Sequence, residues 1–351
     1  MSNPINTWTK FKYNCWQVFD HKIGRDQAFK YFFKSRKKLE TNILKEVSKN
    51  GKGRKLQPDR IKNYDPNFIL NEYVKKAKPV IIEQVAADWE CAQNWSLDYF
   101  KNLHGDDEIL LIDNADRRNN KYEKLTLADI IDNINSGGSK YYRFYPLLRR
   151  HPEHIKDFDY KWLRSASNPS TQFEVFQVFI GGTDTESDLH SNFGSNFFTQ
   201  TYGEKHWFMY DLKYSPVIDP FPGKNLYRSG NGYLGEPFNC YEPDFESYPA
   251  FQYIDYYDFI LKPGDVLYIP PFMWHAVKNL TPSIGVAYRW LSYATSLKSS
   301  SLFFLLDLSN RKPTVWQSLA KHKEDTNLVH LADLGLLDEY IKKHQNKEEI
   351  K

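Results

Sequence analysis

The middle of the chain is a series of short strand-like segments separated by Gly, Pro, Asn and Asp. Each segment is rich in aromatic and β-branched residues, which favour a pleated, half-buried surface. The clearest segments are 173–180, 196–201, 206–210, 265–269 and 283–293. Helix-forming stretches flank these strands instead of alternating with them. The sequence therefore predicts an α+β fold, with an antiparallel barrel and helical decoration.

A basic helical segment precedes the strand-rich region. Apolar side chains recur at helical spacing over residues 26–49, and the linker GKGRK follows them. We therefore predict three regions: a basic helical N-terminal extension at 1–60, the barrel domain with helical decoration at 61–295, and a C-terminal helical segment at 296–351.

The C-terminal segment is predicted to be helical over residues 313–344. It carries a stripe of regularly spaced leucines, namely Leu328, Leu331, Leu334 and Leu337. Such a stripe indicates either packing within the molecule or a homodimer interface through the C-terminal helices.

Charge is unevenly distributed along the chain. Residues 22–62 contain 14 Lys and Arg but only 4 Asp and Glu, a net charge of +10 in a chain whose overall formal charge is +3. This excess predicts either the solvated face of a helix or a surface for nucleic acid or another acidic partner.

The cysteine content indicates a reducing compartment. Cys15, Cys91 and Cys240 are an odd number, widely spaced and without a CxxC pair, so neither a disulfide framework nor a thiolate zinc site is expected. The first residues lack the apolar core of a signal peptide, and no apolar run is long enough to span a bilayer. We expect a cytoplasmic protein without membrane partners, and a nuclear location is compatible with the same features.

Two histidines lie in strand-like contexts that fit one recurring metal site. His190 is in DLHSNFGSNFFTQTYGEKHWFMY, and His275 is in LKPGDVLYIPPFMWHAVKN. In non-haem iron oxygenases, two imidazoles and one carboxylate hold Fe(II) on one face and leave three positions open. A His-x-Asp/Glu pair on one strand directs both side chains to the same inner face. The second histidine is expected from a later strand across the barrel.

The chain from 79 to about 291 resembles the JmjC/cupin-like oxygenases that depend on Fe(II) and 2-oxoglutarate. The motifs that carry this similarity are PVIIEQVAADW at 79–89, HSNFGSNFFTQTYGEKHWFMY at 190–210 and GDVLYIPPFMWHAV at 264–277. They point to the branch that contains the asparaginyl hydroxylase of the hypoxia response and the tRNA wybutosine hydroxylase. The resemblance implies a double-stranded β-helix, also called a jelly-roll or cupin barrel, with N-terminal and C-terminal helices.

The resemblance also implies roles for individual residues. His190 and His275 match the two histidine ligands of the iron. Lys205 matches the lysine that pairs with the distal carboxylate of 2-oxoglutarate, where a cation offsets the cost of burying a dicarboxylate. The other residues expected near the co-substrate are Ser187, Asn196 and Tyr288.

The middle position of the expected metal triad is Asn192 instead of a carboxylate. A carboxamide oxygen is neutral and is a weaker ligand for Fe(II). Three interpretations stay open. Asn192 coordinates the metal in a weak or specialised oxygenase, Asp188 substitutes for the absent carboxylate, or catalysis is lost and the barrel is a binding module.

These features predict an Fe(II)- and 2-oxoglutarate-dependent hydroxylase that uses O₂ and acts on a protein, RNA or small-molecule substrate. The competing hypothesis is a catalytically silent barrel that binds a partner or a small acid. A long loop at 215–258 is expected to cover the barrel mouth and set specificity. His151 and His154 are predicted to be surface residues and not a metal pair.

Overall fold

The computed structural model describes residues 4–112, 122–170, 174–220, 226–228, 238–309 and 327–348. Its strands, numbered in chain order, are β1 (Lys55–Leu56), β2 (Asp59–Ile61), β3 (Val80–Ile82), β4 (Glu108–Ile112), β5 (Tyr122–Thr126), β6 (Tyr141–Tyr145), β7 (Glu174–Gly181), β8 (Glu186–Asn192), β9 (Ser195–Tyr202), β10 (Lys205–Tyr210), β11 (Leu226–Arg228), β12 (Tyr256–Leu261), β13 (Val266–Ile269), β14 (Trp274–Asn279) and β15 (Ser283–Trp290).

Two facing sheets form the barrel. One has six strands in the order β1-β12-β10-β14-β8-β11, and the other has seven in the order β2-β3-β13-β9-β15-β7-β6. The chain passes repeatedly between the sheets, from β7 to β8, from β8 to β9 and again from β12 through β13 and β14 to β15. Neighbours among these strands are antiparallel. This connectivity is that of a double-stranded β-helix, so the predicted α+β jelly-roll fold with flanking helices is confirmed.

An apolar core fills the space between the two sheets. Side chains alternate between the faces of each strand, so every second residue of a barrel strand points inward. Large rings occupy many of these positions and include Phe179, Phe198, Trp207 and Phe259. A polar region within this core surrounds the two candidate histidines and is described below.

Helices cover the outer faces of both sheets. They are α1 (Thr7–Ile23), α2 (Arg25–Val47), α3 (Pro66–Ile69), α4 (Glu90–Asn94), α5 (Leu97–His104), α6 (Leu127–Asn135), α7 (Leu147–Arg150), α8 (Tyr160–Ala166), α9 (Ser215–Ile218), α10 (Tyr293–Ser299), α11 (Ser301–Leu308), α12 (Leu328–Asp333) and α13 (Leu337–Glu348). Short 3₁₀ segments occur at Ser48–Asn50, Pro152–Asp157, Leu212–Tyr214 and Pro249–Tyr253, and a π-helical turn occurs at Leu70–Val74.

Side-chain caps fix where two of these helices begin. The Ser96 hydroxyl accepts a hydrogen bond from the Tyr99 N–H at 3.1 Å and starts α5. Thr126 and Asp129 form a reciprocal capping box at the start of α6. Each cap satisfies backbone N–H groups that have no partner within the helix.

The predicted N-terminal helix over 26–49 is confirmed as α2 and the 3₁₀ turn after it. The preceding helix α1 lies within the segment predicted at 1–60 to be a basic helical extension, although no separate helix was predicted over Thr7–Ile23. Strand β1 pairs with β12, and β2 pairs with β3. The barrel sheets therefore take in residues on both sides of the boundary predicted at residue 60.

The leucine stripe of the C-terminal segment packs largely within the molecule. Leu328 and Leu337 are buried in the core that covers the seven-stranded sheet, and Leu331 packs partly against it. Only Leu334 is strongly exposed. These contacts favour the packing interpretation of the stripe, and a homodimer through the C-terminal helices stays a prediction.

Several sequence predictions fall on residues outside the described ranges. They are the helical prediction for 313–326, Phe173 at the start of its predicted strand, and residues 221–225 and 229–237 of the long loop. Within the part of the chain that the structure describes, no helix combines the length and apolar character needed to cross a bilayer.

Candidate active site

His190 and His275 lie next to each other in the six-stranded sheet. His190 is in β8 and His275 is in β14, and the two residues are paired across these neighbouring antiparallel strands. Their ring centroids are 4.2 Å apart. The prediction that the second histidine comes from across the barrel is therefore wrong, because the later strand returns to the same sheet.

Both rings border a cavity between the two sheets. Its lining side chains come from both sheets and are Tyr141, Arg143, Phe179, Ser187, Asp188, His190, Asn192, Asn196, Phe198, Trp207, His275, Val277 and Arg289. Aromatic walls surround a small polar centre, as is typical of a site that orients a small molecule.

Each imidazole is held by a backbone carbonyl. His190 Nδ1 lies 2.7 Å from the Asp188 carbonyl oxygen, and His275 Nδ1 lies 2.9 Å from the Met273 carbonyl oxygen. A carbonyl can only accept, so Nδ1 carries the proton in both rings and Nε2 keeps a lone pair. This is the tautomer in which a histidine binds a metal through Nε2.

Burial keeps both rings neutral. It lowers the pKa of His275 to about 4. It also lowers the pKa of His190 well below its usual value, and the nearby His275, Arg289 and Arg143 lower it further. Neutral imidazoles are the form that coordinates metal ions, so no proton has to leave at neutral pH.

A β-bulge in β8 adjusts which side chains face the cavity. The pairing steps from His190 with His275 to Ser187 with Val277, so β8 contains one residue more than β14 over this stretch. Paired residues of antiparallel strands share a face, so the bulge turns Ser187 to the same side as His190. Without the extra residue, strict alternation would point these two side chains in opposite directions.

Asn192 follows His190 by two residues and borders the same cavity. Asp188 borders it too. Among the residues that the structure describes, however, no three His, Cys, Asp or Glu side chains are grouped so that they could hold a metal ion. Both Asn192 and Asp188 border the cavity, and which of them would complete a metal site with the two imidazoles stays a prediction.

Lys205 is completely buried at the floor of the barrel. Its Nζ donates to Asn279 Oδ1 and, at 2.8 Å, to Ser283 Oγ. In the described part of the chain no carboxylate lies within 4.0 Å of this amine. Desolvation without a compensating anion lowers the pKa of Lys205 to about 7.

A glycine makes room for this lysine. A Cβ on Gly285 would lie 3.1 Å from Lys205 Cε and 2.5 Å from Phe198 Cζ. The second distance is shorter than real Cβ contacts, so a side chain here would displace the Phe198 ring, which lines the cavity. Tyr141 lines the cavity and lies beside the amine, with its ring centre 5.8 Å from Nζ.

Asn196 lines the cavity, and its side-chain oxygen finds no hydrogen-bond partner among the described residues. The residue is buried, and this oxygen is Oδ1. A buried acceptor without a partner is costly, and a bound ligand or water commonly satisfies it. Asn196 is therefore placed where the sequence predicted it, in the lining of the cavity.

Tyr288 does not line the cavity, which corrects the prediction that it lies near the co-substrate. Its ring packs against Phe176 and Trp290 on the helix-covered face of β15, and its hydroxyl donates to the buried Glu174 carboxylate. Side chains alternate along a strand, so the next residue, Arg289, points inward instead.

Arg289 and Arg143 were missed by the sequence analysis. Both line the cavity, and both are close enough to the histidines to disfavour a proton on His190. Burial lowers the pKa of Arg289 to about 10, which still leaves it charged at neutral pH. The available signal was an arginine within an otherwise buried strand, SIGVAYRW, where a charge is unusual unless it has a function.

A second group of histidines lies outside the barrel. His154 is buried, with Nδ1 2.7 Å from Asp157 Oδ2 and Nε2 2.7 Å from His104 Nε2. His151 stacks on His104 at 3.6 Å. The prediction of surface positions is therefore wrong for His154, which the local helices enclose.

Comparison with known proteins places these features in a family context. A family model described as a cupin-like domain matches residues 66–295, which is more than half of the chain. This range contains both sheets of the barrel apart from β1 and β2, together with every residue of the cavity.

Several proteins of known type are similar over the same region. Lysine-specific demethylase 8 of Xenopus tropicalis is 25% identical over 228 residues, covering 63% of this chain and 49% of that protein. JmjC domain-containing protein D of Dictyostelium discoideum is 27% identical over 262 residues, covering 63% and 53%. Lysine-specific demethylase JMJ30 of Arabidopsis thaliana is 25% identical over 241 residues, covering 66% and 54%. The alignments thus span about half the length of these relatives.

Proposed function

The chain belongs to the cupin-like domain family, the JmjC type of barrel, and from this premise we propose that it is an Fe(II)- and 2-oxoglutarate-dependent oxygenase. The observation that carries the proposal is Lys205. Among the described residues this fully buried amine has two acceptors, both neutral, which fits a site that is completed by an anion from outside.

The residues present fit 2-oxoglutarate. Its distal carboxylate would take Lys205 as counter-ion, and Tyr141 and Ser187 would supply hydroxyl donors from the cavity wall. Asn196 Oδ1, which has no hydrogen-bond partner among the described residues, would accept a hydrogen bond from a water molecule bound in the cavity. Phe179 and Phe198 would exclude water along the carbon chain.

The residues also fit a metal ion, held less firmly than by a full triad. His190 and His275 would bind through Nε2, and Asn192 through its side-chain oxygen. Fe(II), with 2-oxoglutarate and O₂, would supply the oxidation that converts a substrate C–H bond to an alcohol as the co-substrate loses CO₂. The protein's own contribution is to keep both imidazoles neutral, to orient them and to bury the acid.

Hydroxylation is the reaction class we propose, and demethylation is a related outcome of the same oxidation. The named relatives include lysine-specific demethylases, which favours a protein substrate for this chain as well. Arg143 and Arg289 add positive charge to the cavity and so favour a substrate group that is neutral or acidic over a cationic one.

A second candidate function is a silent barrel that binds a small acid without turnover. Asn192 and the two arginines support it. A neutral amide replaces the charge that would offset Fe(II), and two guanidinium groups near His190 repel a dication. Such a cavity would bind the dicarboxylate through Lys205 with or without metal.

Anaerobic titration with Mn(II), in place of Fe(II), separates the two candidates. The full chain is titrated with and without 2-oxoglutarate, beside Asn192→Asp and, as a control outside the cavity, Tyr288→Phe. Mn(II) binding by the wild type that 2-oxoglutarate strengthens supports the oxygenase, and succinate formation with Fe(II) and O₂ would follow. Metal binding by Asn192→Asp alone supports the silent barrel. Failure of the wild type and of both variants to bind 2-oxoglutarate would refute both candidate functions.

A further inference from the structure

Helix α1 buries a mostly polar face and exposes an apolar one. The residues that it buries are mainly polar, namely Thr9, Tyr13, Gln17 and Asp20. The residues that it exposes include Trp8 at 63%, Phe11 at 54% and Phe19 at 47%. A surface helix normally does the reverse and points its apolar stripe toward the core.

The exposed side chains form one continuous surface, which we call the aromatic face. It consists of Trp8, Phe11, Val18, Phe19 and Ile23 of α1, together with Phe32 of α2. Trp8 and Phe11 stack with their centroids 5.5 Å apart, and Phe19 and Phe32 meet at 6.3 Å. A contiguous apolar patch of this kind marks an interaction surface, unlike single exposed residues.

A buried ion network fixes this orientation. Asp20 accepts from Arg36 of α2 at 2.8 Å, and Arg36 also contacts Asp219, after α9, at 2.9 Å. Arg25 bonds the same Asp219 and donates to the Pro220 carbonyl at 2.6 Å. Rotating α1 to bury its aromatic face would expose or separate these buried charges, which is strongly unfavourable.

The formal charges on the exposed surface of α1 are all positive. The one acidic residue of α1, Asp20, is buried, so the formal charges on its exposed surface are Lys10, Lys12 and Lys22. Lys12 Nζ lies 5.1 Å from the Trp8 ring centre. Exposed lysines beside tryptophan and phenylalanine are typical of helices that lie in the interface of an anionic bilayer.

We propose that the aromatic face docks on an anionic membrane surface, with α1 parallel to the bilayer and its rings at the level of the headgroups. The observations favour lipid over a second copy, because a two-fold contact would set this lysine-rich surface against itself. They also favour lipid over nucleic acid. Arg25 and Arg36 are both buried, so the bidentate phosphate contacts that arginine makes are not available on these helices.

Vesicle flotation of the full chain tests the proposal. We expect binding to phosphatidylcholine vesicles that contain 30 mol% phosphatidylserine, and at least about fivefold less binding to phosphatidylcholine alone or in 0.5 M salt. The double variant Phe11→Ser with Phe19→Ser should reduce binding at least about tenfold, because it removes two exposed rings that would be buried in the bilayer. Phe245→Ser is the matched control, since Phe245 is similarly exposed on another part of the chain, and it should bind like the wild type.

Three parallel measurements control the interpretation. Thermal unfolding verifies that the double variant is folded, and Lys10→Glu with Lys12→Glu repeats the flotation test through charge alone. Light scattering gives the mass without lipid, where a monomer is 41.5 kDa. The proposal is overturned by absence of vesicle binding, by a dimer that the double variant dissociates, or by RNA binding that depends on the same two rings while vesicle binding does not.

Discussion

Raising the pH should weaken 2-oxoglutarate binding through one residue, Lys205. The amine is buried, and its pKa lies at about 7 without a ligand. A bound carboxylate would favour the charged form and raise that pKa far above the working range. Binding must therefore protonate the amine whenever the pH exceeds 7, and the apparent affinity should fall as the neutral fraction grows.

The size of the effect follows from the pKa. Between pH 6.5 and 8.5 the protonated fraction of a group with a pKa near 7 falls about 25-fold, so the dissociation constant should rise by about the same factor, or roughly 2 kcal/mol. At pH 8 each binding event should take up about 0.9 proton. The two histidines should not contribute, because burial lowers their pKa values and both are neutral across this range.

The lowered pKa of Lys205 also predicts how the stability of the fold depends on pH. The unfolded chain holds a proton on this lysine up to its ordinary pKa of 10.5, whereas the folded chain releases it near pH 7. The unfolded state therefore binds more protons between these values, and the free energy of unfolding should rise with pH in that window. The full difference corresponds to roughly 5 kcal/mol, which other titrating groups will partly mask.

Anaerobic binding calorimetry at constant, saturating Mn(II) measures the affinity for 2-oxoglutarate at each pH. Repeating the titration in buffers of different ionisation enthalpy gives the proton uptake. Lys205→Met should bind weakly and without pH dependence. Lys278→Met removes a cation from β14 that pairs with Asp184 outside the cavity, and it should leave the slope unchanged. An affinity that changes less than about threefold over the two pH units, or a slope that survives Lys205→Met, would refute the reasoning.

Three further perturbations test other parts of the structure. Tyr288→Phe should lower the free energy of unfolding by about 1–2 kcal/mol in urea titration, because a buried carboxylate loses a donor, and should leave 2-oxoglutarate affinity unchanged. Arg36→Ala should cost about 3–5 kcal/mol in the same assay, since it leaves the buried Asp20 poorly compensated. Gly285→Ala should cost more free energy of 2-oxoglutarate binding, measured by calorimetry, than free energy of unfolding, because the new methyl group crowds Lys205. Equal losses in the two free energies would contradict this explanation.

The fold and the core of the candidate site were accessible from the sequence because they depend on local patterns. Alternating strands, turn residues and two histidine motifs indicated an antiparallel barrel with a site inside it. His190, Asn192 and Asn196 lie within seven residues of one another, and the short connection from β8 to β9 brings all three to the cavity between the two sheets. Predicting that these three side chains lie close together therefore required no knowledge of long-range contacts.

Other features depended on register, which no local pattern specifies. Tyr288 and Arg289 exchange faces if β15 shifts by one residue, and the sequence prediction chose the wrong one. The bulge that turns Ser187 inward exists only in the pairing of β8 with β14. The two histidines also proved to be neighbours in one sheet, which their separation along the chain did not indicate.

The sequence by itself determined the barrel, its helical flanks and the residue types of the candidate site, since these follow from side-chain period and chemistry. Tertiary structure alone decided that Lys205 is buried with no carboxylate of the described residues within 4.0 Å, that two arginines line the cavity beside the histidines, and that α1 exposes its aromatic rings to solvent. The physical reason is that burial and charge pairing are properties of surroundings. Segments distant in the chain supply those surroundings, and only folding brings them together.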